Sequence, residues 1–89
     1  MKTAFRKSFD RDLKKLKKNR QVLSRIKDRI EDVGAAESIR ELPSLKKLSG
    51  GNNFYRIRIG DYRIGAILRG ETVEFVRCLH RREIYRYFP

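Results

Sequence analysis

Cysteine and histidine occur once each in this chain, as Cys78 and His80, and tryptophan does not occur. A lone cysteine excludes an internal disulfide framework, and one cysteine with one histidine leaves too few ligands for an ordinary zinc site. Acidic residues are scarce as well: 11 Asp and Glu stand against 23 Lys and Arg, a formal net charge of +12. Self-repulsion makes such an excess mildly costly, so it points to an anionic partner, whether nucleic acid, an acidic protein segment or a lipid surface. No apolar run approaches the ~20 residues of a membrane span. The opening MKTAFRKSFDRDLKK has no apolar core of the kind a signal peptide needs. With 89 residues there is room for one modest core. These absences predict a single domain over 1–89, cytoplasmic, with no metal, no small-molecule cofactor and no membrane partner.

The apolar residues that are present fall in periodic runs, the mark of a folded chain. Thr3 to Arg6 reads as a short strand, with Ser8 as helix N-cap and Asp10 and Asp12 in a first turn that favours negative charge. Phe9, Leu13 and Leu16 share one helical face. Asn19 breaks the pattern, and Leu23, Ile26, Ile30 and Val33 then line a second helix that Gly34 should end. So short a link predicts an antiparallel helical hairpin. Residues 35–41 suit a helical turn stopped by Pro43, and Leu42, Leu45 and Leu48 should pin this connection to the core. Gly50-Gly51-Asn52-Asn53 reads as a turn within the domain.

From Phe54 the period changes to two. Tyr55, Ile57 and Ile59 alternate with Arg56 and Arg58, a strand with one apolar and one basic face. Gly60-Asp61 suits a two-residue hairpin turn with glycine first. Tyr62, Ile64, Ala66 and Leu68 continue the apolar face, Gly70-Glu71 marks a second turn, and Thr72 to Leu79 forms a third strand. The phase of that strand is open, because Val73, Phe75 and Leu79 compete with Val76 and Cys78. A bulge or burial of both faces would account for it, and Arg77 fits neither phase.

A turn at Gly60-Asp61 pairs Arg58 with Arg63 and Arg56 with Gly65. Arg56, Arg58 and Arg63 then share one largely exposed face, away from the helices. Like charges directly opposed weaken a sheet, a cost that binding a phosphate would offset. Gly65 should leave that face open to a ligand. After residue 50 there are eight arginines and no lysine, against nine lysines and six arginines before it. Arginine grips phosphate through a planar fork, whereas lysine is a point charge. The tail from Leu79 to Pro89 adds an imidazole, guanidiniums and phenols. Cleavage of RNA by its own 2′-hydroxyl needs proton carriers and cations to stabilise a phosphorane. His80 or Tyr85 could carry the protons and the arginines could take the charge. The plainer alternative is that Ile84, Tyr87 and Phe88 merely dock the tail on the core.

The stretch Tyr55-Arg56-Ile57-Arg58-Ile59-Gly60-Asp61-Tyr62-Arg63-Ile64, the tail Leu79-His80-Arg81-Arg82-Glu83-Ile84-Tyr85-Arg86 and the run Leu45-Lys46-Lys47-Leu48-Ser49-Gly50 resemble the RelE/ParE toxins of bacterial and archaeal toxin–antitoxin systems. The resemblance spans essentially the whole chain. It implies an α+β fold: an N-terminal strand and helical hairpin on a small, mainly antiparallel twisted sheet, similar to microbial ribonucleases. It also implies that the concave sheet face binds mRNA held on the ribosome, and that a small cognate antitoxin is the protein partner. By position it assigns Arg56, Arg58, Arg63, Arg81, Tyr85 and His80 to catalysis. Arg56, Arg58 and Arg63, with Arg82 and Tyr87, are assigned to RNA binding. Arg81 and Arg82 remain interchangeable at this point, as do Tyr85 and Tyr87. The rival within the superfamily is a ParE-like inhibitor of DNA gyrase that cleaves nothing.

Overall fold

The computed structural model describes residues 1–49 and 53–89. The turn expected at 50–53 lies outside them except for Asn53, which has a φ of 68°. The chain runs β1 (Lys2–Phe5), α1 (Lys7–Lys15), α2 (Arg20–Ala35), a 3-10 turn (Ile39–Glu41), β2 (Leu45–Lys47), β3 (Phe54–Ile59), β4 (Tyr62–Arg69), β5 (Thr72–His80) and α3 (Ile84–Tyr87). The five strands form one sheet in the order β1-β5-β4-β3-β2. β1 lies parallel to β5, and every other pairing is antiparallel. The β3–β4–β5 meander turns where the glycines predict: Ile59 pairs with Tyr62 and Arg69 with Thr72. Gly60 and Gly70 take φ of 56° and 58°, values that cost a residue with a Cβ roughly 1–2 kcal/mol.

One side of the sheet carries the helices. Ile57, Ile59, Ile64, Ala66, Val73, Phe75 and Cys78 are buried there with Phe9, Ile26 and Val33. α1 lies on β5, while α2 lies against β1 and β3, so each helix of the expected hairpin is held by the sheet. Leu42 and Leu45 join this core as expected. Leu45 also opens a strand, since Leu45–Lys47 pair with Ile57–Tyr55. That three-residue edge is too short to show period-two alternation, so the sequence predicts only a pinned connection there.

The opposite side is covered by the tail. Val76, Ile84 and Phe88 form a second buried cluster, with Leu48, Phe54, Ile67 and Leu79 around it. Both explanations offered for β5 hold at once. Gly65 pairs with Arg77 but Ala66 pairs with Phe75, leaving Val76 as an extra bulged residue. The bulge reverses the alternation, so Val73, Phe75 and Cys78 face the helices while Val76 and Leu79 face the tail.

α1 starts at Lys7, two residues earlier than a Ser8 cap predicts. Its N-cap is Arg6, with no side-chain cap, because Ser8 Oγ donates instead to the Val76 carbonyl at 2.6 Å. Asp10 does sit in the first turn. Asp12 is buried, and accepts from the Cys78 amide at 2.9 Å and from Arg77 Nε and Nη2 at 2.8 and 3.1 Å. β1 pairs with β5 only as far as Phe75. Beyond that point Ser8 and Asp12, one helical turn apart, satisfy edge groups that no strand reaches. Asp12 also raises the Arg77 pKa above its ordinary value, chiefly by hydrogen bonding. Apolar burial, with Asp12 nearby, pushes the Cys78 thiol up to about 12, so this cysteine is an inert core residue. α2 begins at Asn19, whose side chain accepts from the Val22 amide at 3.3 Å, and runs through Gly34 to Ala35. Gly34 is exposed and has no positive φ, so it sits in the last turn and does not end the helix.

Candidate active site

Arg56, Arg58 and Arg63 share the sheet face opposite Ile57, Ile59 and Ile64, with Arg58 across from Arg63 and Arg56 across from Gly65. Their environments differ sharply. Arg58 is exposed and Arg56 half-buried, but Arg63 is only 7% exposed. Arg63 lies on the central strand and folds back so that Nη1 donates to the carbonyls of Gly60 at 2.6 Å and Tyr62 at 2.8 Å. The expectation of a largely exposed arginine trio is therefore corrected for Arg63, which also clamps the hairpin turn. Gly65 is not open to a ligand either. A Cβ at Gly65 would stand 2.5 Å from the Phe88 ring, so the missing side chain admits the tail.

Tail docking carries the late residues to different places. α3 brings Tyr85 to β3, where Arg56 Nη1 donates to its hydroxyl oxygen at 3.1 Å. Arg56 Nε is buried in the same place with no hydrogen-bond partner among the described residues. The Arg81 amide donates to the Asp61 carbonyl at 2.7 Å, and Arg81 Nε lies 3.9 Å from the Asp61 carboxylate. These groups act on one another. The Arg63 pKa is held below its ordinary value by burial first, then by Arg58 and Arg56 and more weakly by Arg81, with Tyr85 opposing. Arg56, Arg58, Arg63, Arg81 and Tyr85 thus form one cationic site with a phenol in it. A carboxylate, Asp61, sits on the turn at its rim.

The other assigned residues lie elsewhere. His80 pairs with Tyr62 and shares the alternation of Cys78, which turns it toward the helices. There its ring meets Tyr62 edge-on at 5.6 Å and lines a cleft of about 290 Å³ with Asp12, Lys15 and Glu83. Its Nδ1 accepts from the Arg82 amide at 3.2 Å. His80 is therefore not brought to the arginine cluster. The Arg82 side chain is exposed and makes no described contact with the cluster. Tyr87 stands over Arg77, with the guanidinium carbon 5.1 Å from its ring centroid. Of the docking residues expected in the tail, Ile84 and Phe88 are buried but Tyr87 is 57% exposed. The Asp12–Arg77 pair was not foreseen. Its only sequence signal was the poor fit of Arg77 to either phase of β5. Among the described residues no three His, Cys, Asp or Glu side chains come together as a metal site, and no helix is long and apolar enough to cross a membrane.

Comparison with known proteins gives a consistent answer. A family model described as the ParE toxin of a type II toxin–antitoxin system matches residues 4–85. Toxin RelE3 of Methanocaldococcus jannaschii is 44% identical over 90 residues, covering the whole of both chains. The crystal structure of a RelB–RelE antitoxin–toxin complex from Methanococcus jannaschii superposes with a TM-score of 0.81 at 42% identity, covering 97% of this chain and 99% of that one. YafQ from E. coli has the same fold, with a TM-score of 0.72 at 13% identity over 93% of this chain and 96% of its own. With both a family model and a full-length relative matching the fold and the order of its elements, the chain belongs to the RelE/ParE family and is the toxin component of a type II toxin–antitoxin system.

Proposed function

We propose that this toxin is an endoribonuclease that cuts mRNA on the translating ribosome, using the 2′-hydroxyl of the substrate and no metal. The observation that carries the reading is the Arg56–Tyr85 contact at 3.1 Å, set inside the field of Arg58, Arg63 and Arg81. A phosphodiester entering this face meets guanidiniums that can bind its oxygens and stabilise the extra charge of a phosphorane. The 2′-oxygen bonds to phosphorus as its proton passes to solvent, and the bond from phosphorus to the 5′-oxygen breaks. Because Arg56 donates to the Tyr85 oxygen, the phenol proton is free to go to that departing oxygen. The products are a 2′,3′-cyclic phosphate and a 5′-hydroxyl. His80 lies on the helix side and the Asp61 carboxylate meets the cluster only at its rim, 3.9 Å from Arg81 Nε, so charge stabilisation and positioning supply most of the rate. Metal-dependent phosphodiesterases use carboxylate clusters to hold their ions, whereas the C-terminal half has only Asp61, Glu71, Glu74 and Glu83. These are spread over turns and strands.

The test is translation of a defined message with purified protein, mapping new 5′ ends. Cleavage should persist when the nucleotide at the cut is intact and stop when its 2′-hydroxyl is replaced by hydrogen. It should survive EDTA once ribosomal magnesium is controlled. Efficient cutting of the deoxy-substituted site, or 3′-hydroxyl products, overturns the mechanism. The ParE description of the family model favours one other reading, inhibition of DNA gyrase. Intact messages together with loss of supercoiling activity would establish that reading instead.

A further inference from the structure

Three residues stand in register across the middle of the sheet: Arg56 on β3, Gly65 on β4 and Arg77 on β5. The tail sits over this row. Phe88 fills the place above Gly65, Tyr85 reaches Arg56 on one side, and Tyr87 lies over Arg77 on the other. On a helix, side chains two residues apart point roughly 200° from each other, which is how one short turn addresses both flanking strands. Four residues cannot hold a helix by themselves, so the angle at which α3 rests must come from its contacts. Ile84 and Phe88 are buried and fix its depth. The Phe88 ring also packs edge-on against Phe54 at 5.6 Å, and the tyrosine contacts on the two flanks add to what orients the turn.

The two tyrosine contacts are unequal. Arg56 is a strand residue with no acidic hydrogen-bond partner, and no partner for its Nε, among the described residues. Arg77 is locked, since both its Nε and its Nη2 donate to Asp12, and Asp12 is only 3% exposed. A guanidinium fixed by a buried bidentate pair offers a flat cationic face in one orientation, and an aromatic ring over it is attracted to it. We propose that Arg77 and Tyr87 are positioning residues: the Asp12–Arg77 pair forms a fixed platform, and stacking of Tyr87 on it sets the rotation of α3 that delivers the Tyr85 hydroxyl to Arg56. This rests on Tyr85 being the proton donor of the cleavage reaction, and it gives Tyr87 a part that contact with RNA does not.

The experiment compares Tyr87→Phe, Tyr87→Leu, Tyr85→Phe and the Tyr85→Phe/Tyr87→Leu double variant in single-turnover cleavage of ribosome-bound message. Tyr87 is largely exposed, so these variants should melt within a few degrees of the parent. Tyr87→Phe keeps the ring and should cleave like the parent. Tyr87→Leu should lower the rate of the chemical step roughly ten- to hundredfold with little change in apparent affinity for the ribosome-bound message. In the Tyr85→Phe background it should lower the rate no further, because both changes remove one function. A loss expressed in affinity, or one that multiplies with Tyr85→Phe, makes Tyr87 an RNA contact and overturns the proposal. A second measurement needs no cleavage. In ring-labelled protein, NMR should show a Tyr85–Arg56 proximity in the parent that is lost in Tyr87→Leu. Its persistence in Tyr87→Leu overturns the positioning role. Its loss in a protein whose parent cuts no message leaves the positioning role standing and the ribonuclease reading refuted.

Discussion

Arg58 and Arg63 face each other across β3 and β4, and alternation alone gives them the same status. Arg58 reaches solvent with no ion pair among the described residues, while Arg63 is buried and bonded to two turn carbonyls. Removing each should therefore weaken the toxin for a different reason. Arg58→Ala should lower cleavage about 10- to 100-fold, the loss expected of one charge-assisted contact. It should leave the melting temperature unchanged or slightly raised, since a repulsion of a few tenths of a kcal/mol is relieved. Arg63→Ala should lower cleavage similarly and also cost about 1 kcal/mol of stability, because two partly buried turn carbonyls lose their donor. Parallel thermal melts and cleavage rates check both, and equal stability of the two variants would refute the clamp assigned to Arg63. The three hairpin arginines were legible because a period-two pattern and a glycine turn are local signals. The burial of Arg63 was not legible, since it depends on which strand is central.

The parallel pairing of β1 with β5 is tied at its exposed face by Glu74, which accepts from Arg6 Nη2 at 3.1 Å and Arg69 Nε at 3.3 Å. The hydrogen bond from Arg6 is the largest cause holding the Glu74 pKa below its ordinary 4.5, with burial acting the other way. A carboxylate depressed in the native state adds stability that is fully present above its unfolded pKa. That stability is lost as pH falls through the native value. The parent should therefore melt above Glu74→Gln at neutral pH, and the gap should close as pH drops below about 4.5. Melting curves of both proteins from neutral to acidic pH measure it, and a gap that stays constant down to pH ~2.5 would falsify the linkage. At this scale the meander and both long helices could be read in advance. β2 could not, because three residues carry no period, nor could the side-chain completion of the β5 edge by Ser8 and Asp12, which lie more than sixty residues away.

As a whole, the molecule carries +12, and among the described residues its arginine cluster has no ion pair apart from Asp61 at the rim. Solved relatives were captured as toxin–antitoxin complexes, and an antitoxin is the protein partner this chain is built to meet. We expect the antitoxin to lay an acidic segment over the arginine face, and electrostatic steering should then make association fast and salt-dependent. Stopped-flow binding should slow about tenfold or more between roughly 0.05 and 0.5 M salt, with a much smaller change in dissociation. In Arg56→Ala/Arg58→Ala that salt dependence should be shallower. An association rate indifferent to salt would place the antitoxin on another surface.

Composition, alternation and turn chemistry by themselves determined a great deal about this protein: a strong excess of positive charge, two amphipathic helices, a β3–β4–β5 meander, and three arginines on the face away from the helices. These features depend on residues near one another in the chain, where spacing dictates which side a residue takes. Only the tertiary structure put Tyr85 beside Arg56 and Tyr87 over Arg77, set Arg81 near Asp61, turned His80 to the helix side and joined Asp12 to Arg77. The bulge at Val76 reverses the alternation of β5, and the early end of β1 leaves an edge for α1 to complete. The missing side chain of Gly65 lets Phe88 seat the tail between Arg56 and Arg77. Each of these is a contact between distant segments, and no local period encodes it.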